Sequence, residues 1–152
     1  MHLTETDRRI LRYLQRDVRL SNQELAEAVA MSPSACWRRV KALEEAGVIS
    51  GYAALLSADR AGFHFSAILH VTLARHEHGH VDQFIEAISR RPEVLECFAT
   101  TGEADYHLRV VSPDKDAYNR FLDEVLFRLP GVSQVRTNVV LKEIKLTLAL
   151  PV

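Results

Sequence analysis

Trp37, Arg38, Arg39 and Lys41 crowd together shortly after Ser32-Pro33-Ser34. On a helix turning about 100° per residue, Cys36, Val40 and Leu43 fall on one side and would pack inward, while Ser34, Trp37, Arg38 and Lys41 fall on or near the other. A helix of this size fits the major groove of duplex DNA, where Arg and Lys reach guanine acceptors or phosphates. Ser34 and the amides near the helix start can meet a phosphate, with Ser32 in position to cap the start. Arg39 sits at the flank and is a candidate phosphate contact. Trp37 has two readings: a partly buried anchor for the first helix, or apolar contact with a sugar or thymine methyl. Glu44 and Glu45 lie at the far end, where they are tolerable if the helix enters the groove by its N-terminus. The same pattern also fits a generic helical hairpin, because two helices on a short turn need not touch DNA.

Other chemistry is thin. His76-x-His78-x-His80 could bind a metal if extended, but Gly79 and the adjacent helix start favour a solvated loop. No serine–histidine–acid order, phosphate loop or paired-carboxylate signature stands out, so no enzyme activity, cofactor or metal is expected. Cys36 and Cys97 are the two cysteines; they lie far apart in apolar surroundings and form neither a disulfide framework nor a zinc pattern.

The elements that would hold the basic helix are legible. Thr4 and Asp7 form a T-x-x-D start, followed by the apolar face of Ile10, Leu11 and Leu14. Ser21-Asn22-Gln23-Glu24 is a capping box opening a second helix, with Leu25 and Val29 inward. After the tight Ala30-Met31 connection, Ser32 caps the third helix, Pro33 fits its first position and Gly47 ends it. Val48 to Leu56 reads as an extended linker strand, and the stretch from Ser57 to His64 holds turn formers. Three parts are expected: a helix-turn-helix over 1–50, a linker strand and hinge over 51–64, and a second domain over 65–152.

In the second domain the period changes. Phe65, Ala67, Leu69, Val71 and Leu73 alternate as a strand does. Val81, Phe84, Ile85 and Ile88 have helical spacing, and Pro92 stops that helix. Val94 to Ala99 and Tyr106 to Val111 read as strands around the turn at residues 101–105. Tyr118, Phe121, Leu122, Val125 and Leu129 mark another helix, ended by Pro130-Gly131, and Val132 to Leu150 reads as one or two final strands. The order β-α-β-β-α-β is the ferredoxin-like split βαβ pattern, so the fold class is α+β.

The composition fits such a pair of domains. The chain has 152 residues, 47% hydrophobic and 26% charged, which is enough for packed cores and too apolar for disorder. Net charge is −1, so any attraction to nucleic acid must come from a local patch. No basic leader and no apolar stretch long enough to span a membrane is evident, and a cytoplasmic location is expected.

The run from Ser32 to Ile49 resembles the recognition helix of Lrp/AsnC (feast/famine) regulators. Leu3, Asp7, Ile10 and Leu11 are similar to their first helix, and Ser50-Gly51-Tyr52 to the strand that follows. Thr101-Gly102-Glu103-Ala104-Asp105-Tyr106 resembles their effector loop, and Leu129-Pro130-Gly131-Val132 the end of their last helix. The resemblance implies a transcriptional regulator with a helix-turn-helix and a RAM-type βαββαβ domain. Its DNA contacts would be Ser34, Trp37, Arg38 and Lys41. Its effector, an amino acid or related metabolite, would bind at subunit interfaces through Thr101, Gly102, Glu103, Ala104 and Asp105, with Thr137 of the final strand lining the same interface. Gly102 permits close backbone approach, exposed amides can hold a carboxylate, and Asp105 can pair an ammonium; a plain hairpin turn accounts for the same residues. A homodimer reading a palindromic duplex, assembled to an octamer, is the implied state. An architectural DNA-organising protein without an effector is the alternative.

Overall fold

The structure is a computed structural model that describes residues 2–74 and 79–152. His76 and His78 of the histidine cluster lie outside the described residues. The chain divides into two compact units, residues 1–55 with 145–152, and residues 56–144.

The first unit carries α1 (Glu5–Arg16), α2 (Asn22–Ala28) and α3 (Pro33–Glu45). The first two helices open on full capping boxes, Thr4 with Asp7 and Ser21 with Glu24, each joining side chain and backbone in both directions. The turn from α2 to α3 is made by Ala30, held in the left-handed region at φ +57°, a conformation that costs about 1 kcal/mol or more for a residue with a Cβ. The close return it allows is secured by the Met31 amide on the Ala26 carbonyl at 2.9 Å. Gly47, at φ +69°, ends α3 as its position suggests. Ile10, Leu25, Ala26, Val29, Cys36 and Leu43 form the sealed centre of this unit.

Lys145–Val152, which the sequence assigns to the second domain, groups with the first unit. Gln15 brackets Leu150, accepting its amide at 2.6 Å and donating to its carbonyl at 3.1 Å, and Arg12 donates to the Val152 carbonyl at 2.6 Å.

The second unit runs β1 (Phe65–Leu73), α4 (His80–Ser89), β2 (Val94–Ala99), β3 (Tyr106–Ser112), α5 (Lys115–Glu124), a 3-10 turn at Leu126–Arg128, and β4 (Val132–Val139). The strands form one sheet in the order β2-β3-β1-β4, with antiparallel neighbours throughout. This is the expected ferredoxin-like arrangement. One face of the sheet, with Ala67, Leu69, Val71, Leu108 and Val110, packs on Phe84, Ile88, Tyr118, Phe121 and Leu126. The other face bears Ile68, His70, His107, Arg109, Arg136 and Asn138, as the strand alternation requires.

Three details differ from the sequence reading. The helix expected to reach Leu129 stops at Glu124 and tightens into the 3-10 turn. The final strand ends at Val139, and no strand is formed from residue 140 to 152. The segment 48–56, read as a linker strand, forms none: Val48 and Ile49 bend back so that their amides meet the Leu43 carbonyl, and residues 50–56 join no sheet. Gly131 has a reason beyond breaking a helix: it sits at φ +83°, and a Cβ there would lie 2.5 Å from His80 Nδ1.

Candidate nucleic-acid interface and ligand loop

The start of α3 is built to be presented. Ser32 caps it by accepting the Ala35 amide at 3.3 Å, and Asn22 donates to the Pro33 carbonyl at 2.8 Å, tying the start of α2 to the start of α3. The sequence pattern does not single out Asn22, because its role needs the interhelical geometry. Beyond this start, Cys36 and Leu43 are sealed in the core, while Ser32, Ser34, Trp37, Arg38 and Lys41 are exposed together. Trp37 is 55% exposed, so more than half of its surface is open beside Arg38 while the rest is covered. Among the described residues Arg38 makes no ion pair.

Arg39 departs from this face. Its guanidinium turns to Asp7 on α1, donating from Nε to Oδ1 and from Nη2 to Oδ2, the latter at 2.6 Å. Asp7 is fully buried and also accepts the Thr4 amide and hydroxyl at 2.7 and 2.6 Å. The hydrogen bond from Arg39, and then those from Thr4, hold the Asp7 carboxyl well below the usual carboxylate range despite its burial. Arg39, a candidate phosphate contact from the sequence, thus forms an ionic strut between two helices.

Lys41 is partly engaged, its Nζ lying 3.3 Å from Glu44 Oε2. The other carboxylate oxygen, Glu44 Oε1, accepts the Tyr52 hydroxyl at 2.8 Å. Partial burial, with Glu44 adding to it, pushes the Tyr52 hydroxyl up to about 12. Glu44 in turn is lowered by Tyr52 first and Lys41 after it.

In the second unit the loop 101–105 closes the β2–β3 hairpin. Gly102 takes φ +117°, open only to glycine at low cost. Thr101, Gly102 and Glu103 are exposed and Ala104 is buried. Asp105 is tied to β1: its Oδ2 accepts the Leu73 amide at 2.8 Å and its own amide donates to the Val71 carbonyl at 3.0 Å. At least one of its oxygens thus holds the loop in place. Glu103 reaches Arg136 on β4 at 3.4 Å, and with His70, Thr72, Ala104 and Gln134 the pair lines a shallow recess of about 30 Å³. Thr137 is not part of it. Its hydroxyl lies 2.6 Å from the Tyr118 hydroxyl on α5, because successive strand residues point to opposite faces and Thr137 takes the helix-covered one. Arg136 and His70, on the open face beside the loop, were missed by the sequence reading. The 2-residue alternation of β4 could have found Arg136, given the strand register.

Residues 3–50 match the family model described as winged helix-turn-helix DNA-binding, and residues 66–150 match that of the Lrp/AsnC ligand binding domain. Together with the helix-turn-helix and the βαββαβ unit, these matches define a DNA-binding transcriptional regulator with a ligand-binding domain. The leucine-responsive regulatory proteins of Klebsiella pneumoniae and Escherichia coli K12 are each 41% identical over 143 residues, covering 94% of this chain and 87% of theirs. The crystal structure of a Neisseria meningitidis transcriptional regulator in complex with L-Met superposes with a TM-score of 0.94 at 42% identity, over 99% of this chain and 97% of that one. An AsnC family regulator from Agrobacterium tumefaciens gives 0.93 at 35% identity, over 98% and 97%. The chain belongs to the Lrp/AsnC family. No helix among the described residues is long and apolar enough to cross a membrane.

Proposed function

We propose that this regulator binds operator DNA through Ser34, Trp37, Arg38 and Lys41, with an amino acid as its effector. The observation that carries the first part is the joint exposure of those four side chains on α3, with Arg38 outside any ion pair among the described residues. An unpaired guanidinium on a capped helix meets guanine or phosphate without first breaking a protein contact. Ser32 serves by capping that helix. Gel shifts with Arg38→Ala test it: weaker binding at unchanged oligomer size is expected, and unchanged affinity would move the DNA face elsewhere.

The effector reading draws on the loop and on relatives. One relative is named as a complex with L-Met and others are named leucine-responsive. Thr101, Gly102 and Glu103 offer exposed backbone and charge beside Arg136, a cation suited to a carboxylate. A thermal-shift screen of amino acids tests this reading, since an effector stabilises the folded state it binds. No stabilisation by any of them would leave a DNA-organising protein without a small ligand.

Assembly is part of the same reading. Leu55, Leu56, Leu141, Ile144, Leu146 and Leu148 are all exposed in segments that join no sheet. Exposed apolar chain of this kind suits a second copy, and a two-fold pair suits a palindromic operator. Light scattering distinguishes a dimer from an octamer.

A further inference from the structure

The carboxylate of Glu44 is shared between two partners whose positions in the chain have different meanings. Lys41 belongs to the exposed face of α3, while Tyr52 belongs to the segment after α3, shortly before the end of the first unit's run at Leu55. The two bonds use different oxygens, Oε2 for Lys41 and Oε1 for Tyr52. A carboxylate beside a DNA-facing lysine works against DNA binding in two ways. It neutralises the ammonium, and it repels the phosphate that the ammonium would meet. The Tyr52 hydroxyl offsets both. It orients the carboxylate and leaves it with a donor when Lys41 departs for a phosphate, so that no bare acid remains at the groove edge.

We propose that Tyr52 is a positioning residue for DNA binding: it holds Glu44 so that Lys41 can be released to a phosphate, and the segment carrying Tyr52 thereby sets the charge that α3 presents. The inference rests on the reading that α3 meets DNA through Lys41. It gives the segment a definite way to alter DNA affinity: any movement that draws Tyr52 off Glu44 takes away the second donor and tightens the existing Lys41–Glu44 ion pair.

The experiment measures binding of a labelled random-sequence duplex by the full chain over a range of salt concentrations, for the native protein, Tyr52→Phe, Tyr52→Phe with Glu44→Gln, and Lys41→Ala. Circular dichroism and thermal unfolding establish that each variant is folded. Tyr52→Phe is expected to weaken binding about threefold to tenfold, and its salt slope to fall by up to about one phosphate contact. Adding Glu44→Gln to Tyr52→Phe is expected to restore affinity and slope, because a neutral amide no longer retains Lys41; a merely structural role for Tyr52 would not be rescued in this way. Native affinity and slope in Tyr52→Phe, beside a loss in Lys41→Ala, would overturn the proposal alone. A loss in Tyr52→Phe that Glu44→Gln does not restore would overturn it as well. Undiminished binding by Lys41→Ala would overturn the DNA-facing assignment of Lys41, and the proposal with it.

Discussion

Asp7 and Arg39 join α1 to α3 through two hydrogen bonds, with the carboxylate fully buried and the guanidinium about one-third exposed at 32%. The same carboxylate completes the capping box of α1 with Thr4. One side chain therefore both starts the first helix and anchors the helix that bears the basic face. Asp7→Asn keeps the shape but leaves the Arg39 cation uncompensated. It is expected to destabilise the first unit by about 2–4 kcal/mol, below the full cost of a sealed ion pair because Arg39 reaches solvent. The carboxyl is held below its ordinary value of 3.8 in the folded state. Its contribution is thus present above that value and lost as pH falls through the folded one. Urea unfolding of both proteins across the acid range checks this: the native chain should lose stability there and Asp7→Asn should lose less.

Asp105→Ala removes the acceptor of the Leu73 amide. Leaving a part-buried amide unpaired costs about 1–3 kcal/mol, so the variant is expected to loosen the β1 end and the loop even without effector. Hydrogen exchange at Leu73 should quicken. A lost amino-acid response in this variant has to be compared with Glu103→Gln, which touches the exposed recess and leaves the Leu73 bond intact. A response lost only in Asp105→Ala would place the effector away from Glu103.

Much of the architecture was legible because it depends on local patterns. The two capping boxes, Pro33 after Ser32, and Gly47 past the last helical turn all act within a few residues, and the alternation of Phe65 to Leu73 states which strand face is buried. What escaped depends on pairing at a distance. Arg39 reads as a flank cation until Asp7 is brought against it from α1. Thr137 reads as a loop neighbour until the strand register places it under α5, against Tyr118. The register sets Arg136 opposite His70 on the open face, where the loop brings Glu103 within reach of it. The end of the chain misled because Val, Leu and Thr suit a strand, yet a strand needs a partner, and residues 140–152 join no sheet.

His70 and His107 face each other across β1 and β3 with ring centroids 4.5 Å apart, edge to face. Arg136 and Asn138 flank His70 from β4, Asn138 at 3.4 Å. Burial first, then His107 and Arg136, lower the His70 value below its ordinary 6.5. The folded state therefore favours the neutral ring, so the associated stability is full above 6.5 and declines as pH falls from there through the folded value. Denaturant unfolding of the second unit is expected to show lower stability at about pH 5 than at about pH 7.5, and His70→Gln should flatten that difference. An unaltered pH dependence in His70→Gln would assign it to another group.

Trp37 gives the sharpest separation of binding from folding. More than half of it is open to solvent, although it is the largest side chain on α3 and sits between Cys36, which is sealed in the core, and Arg38, which is exposed. Truncating a residue so placed removes only part of the buried area that a sealed core residue would lose, and Trp37→Ala is expected to cost about 1–3 kcal/mol of stability. If α3 meets a duplex as proposed, the exposed indole beside Arg38 can cover a sugar or a thymine methyl with its face. The same substitution is therefore expected to weaken DNA binding about fivefold to tenfold, with the salt slope unchanged because no charge is lost. Titrating one protein preparation by unfolding and by fluorescence anisotropy reads both quantities. A large loss of stability at intact affinity would mean that the ring's buried half anchors α3, and that the cations alone carry the contact with DNA.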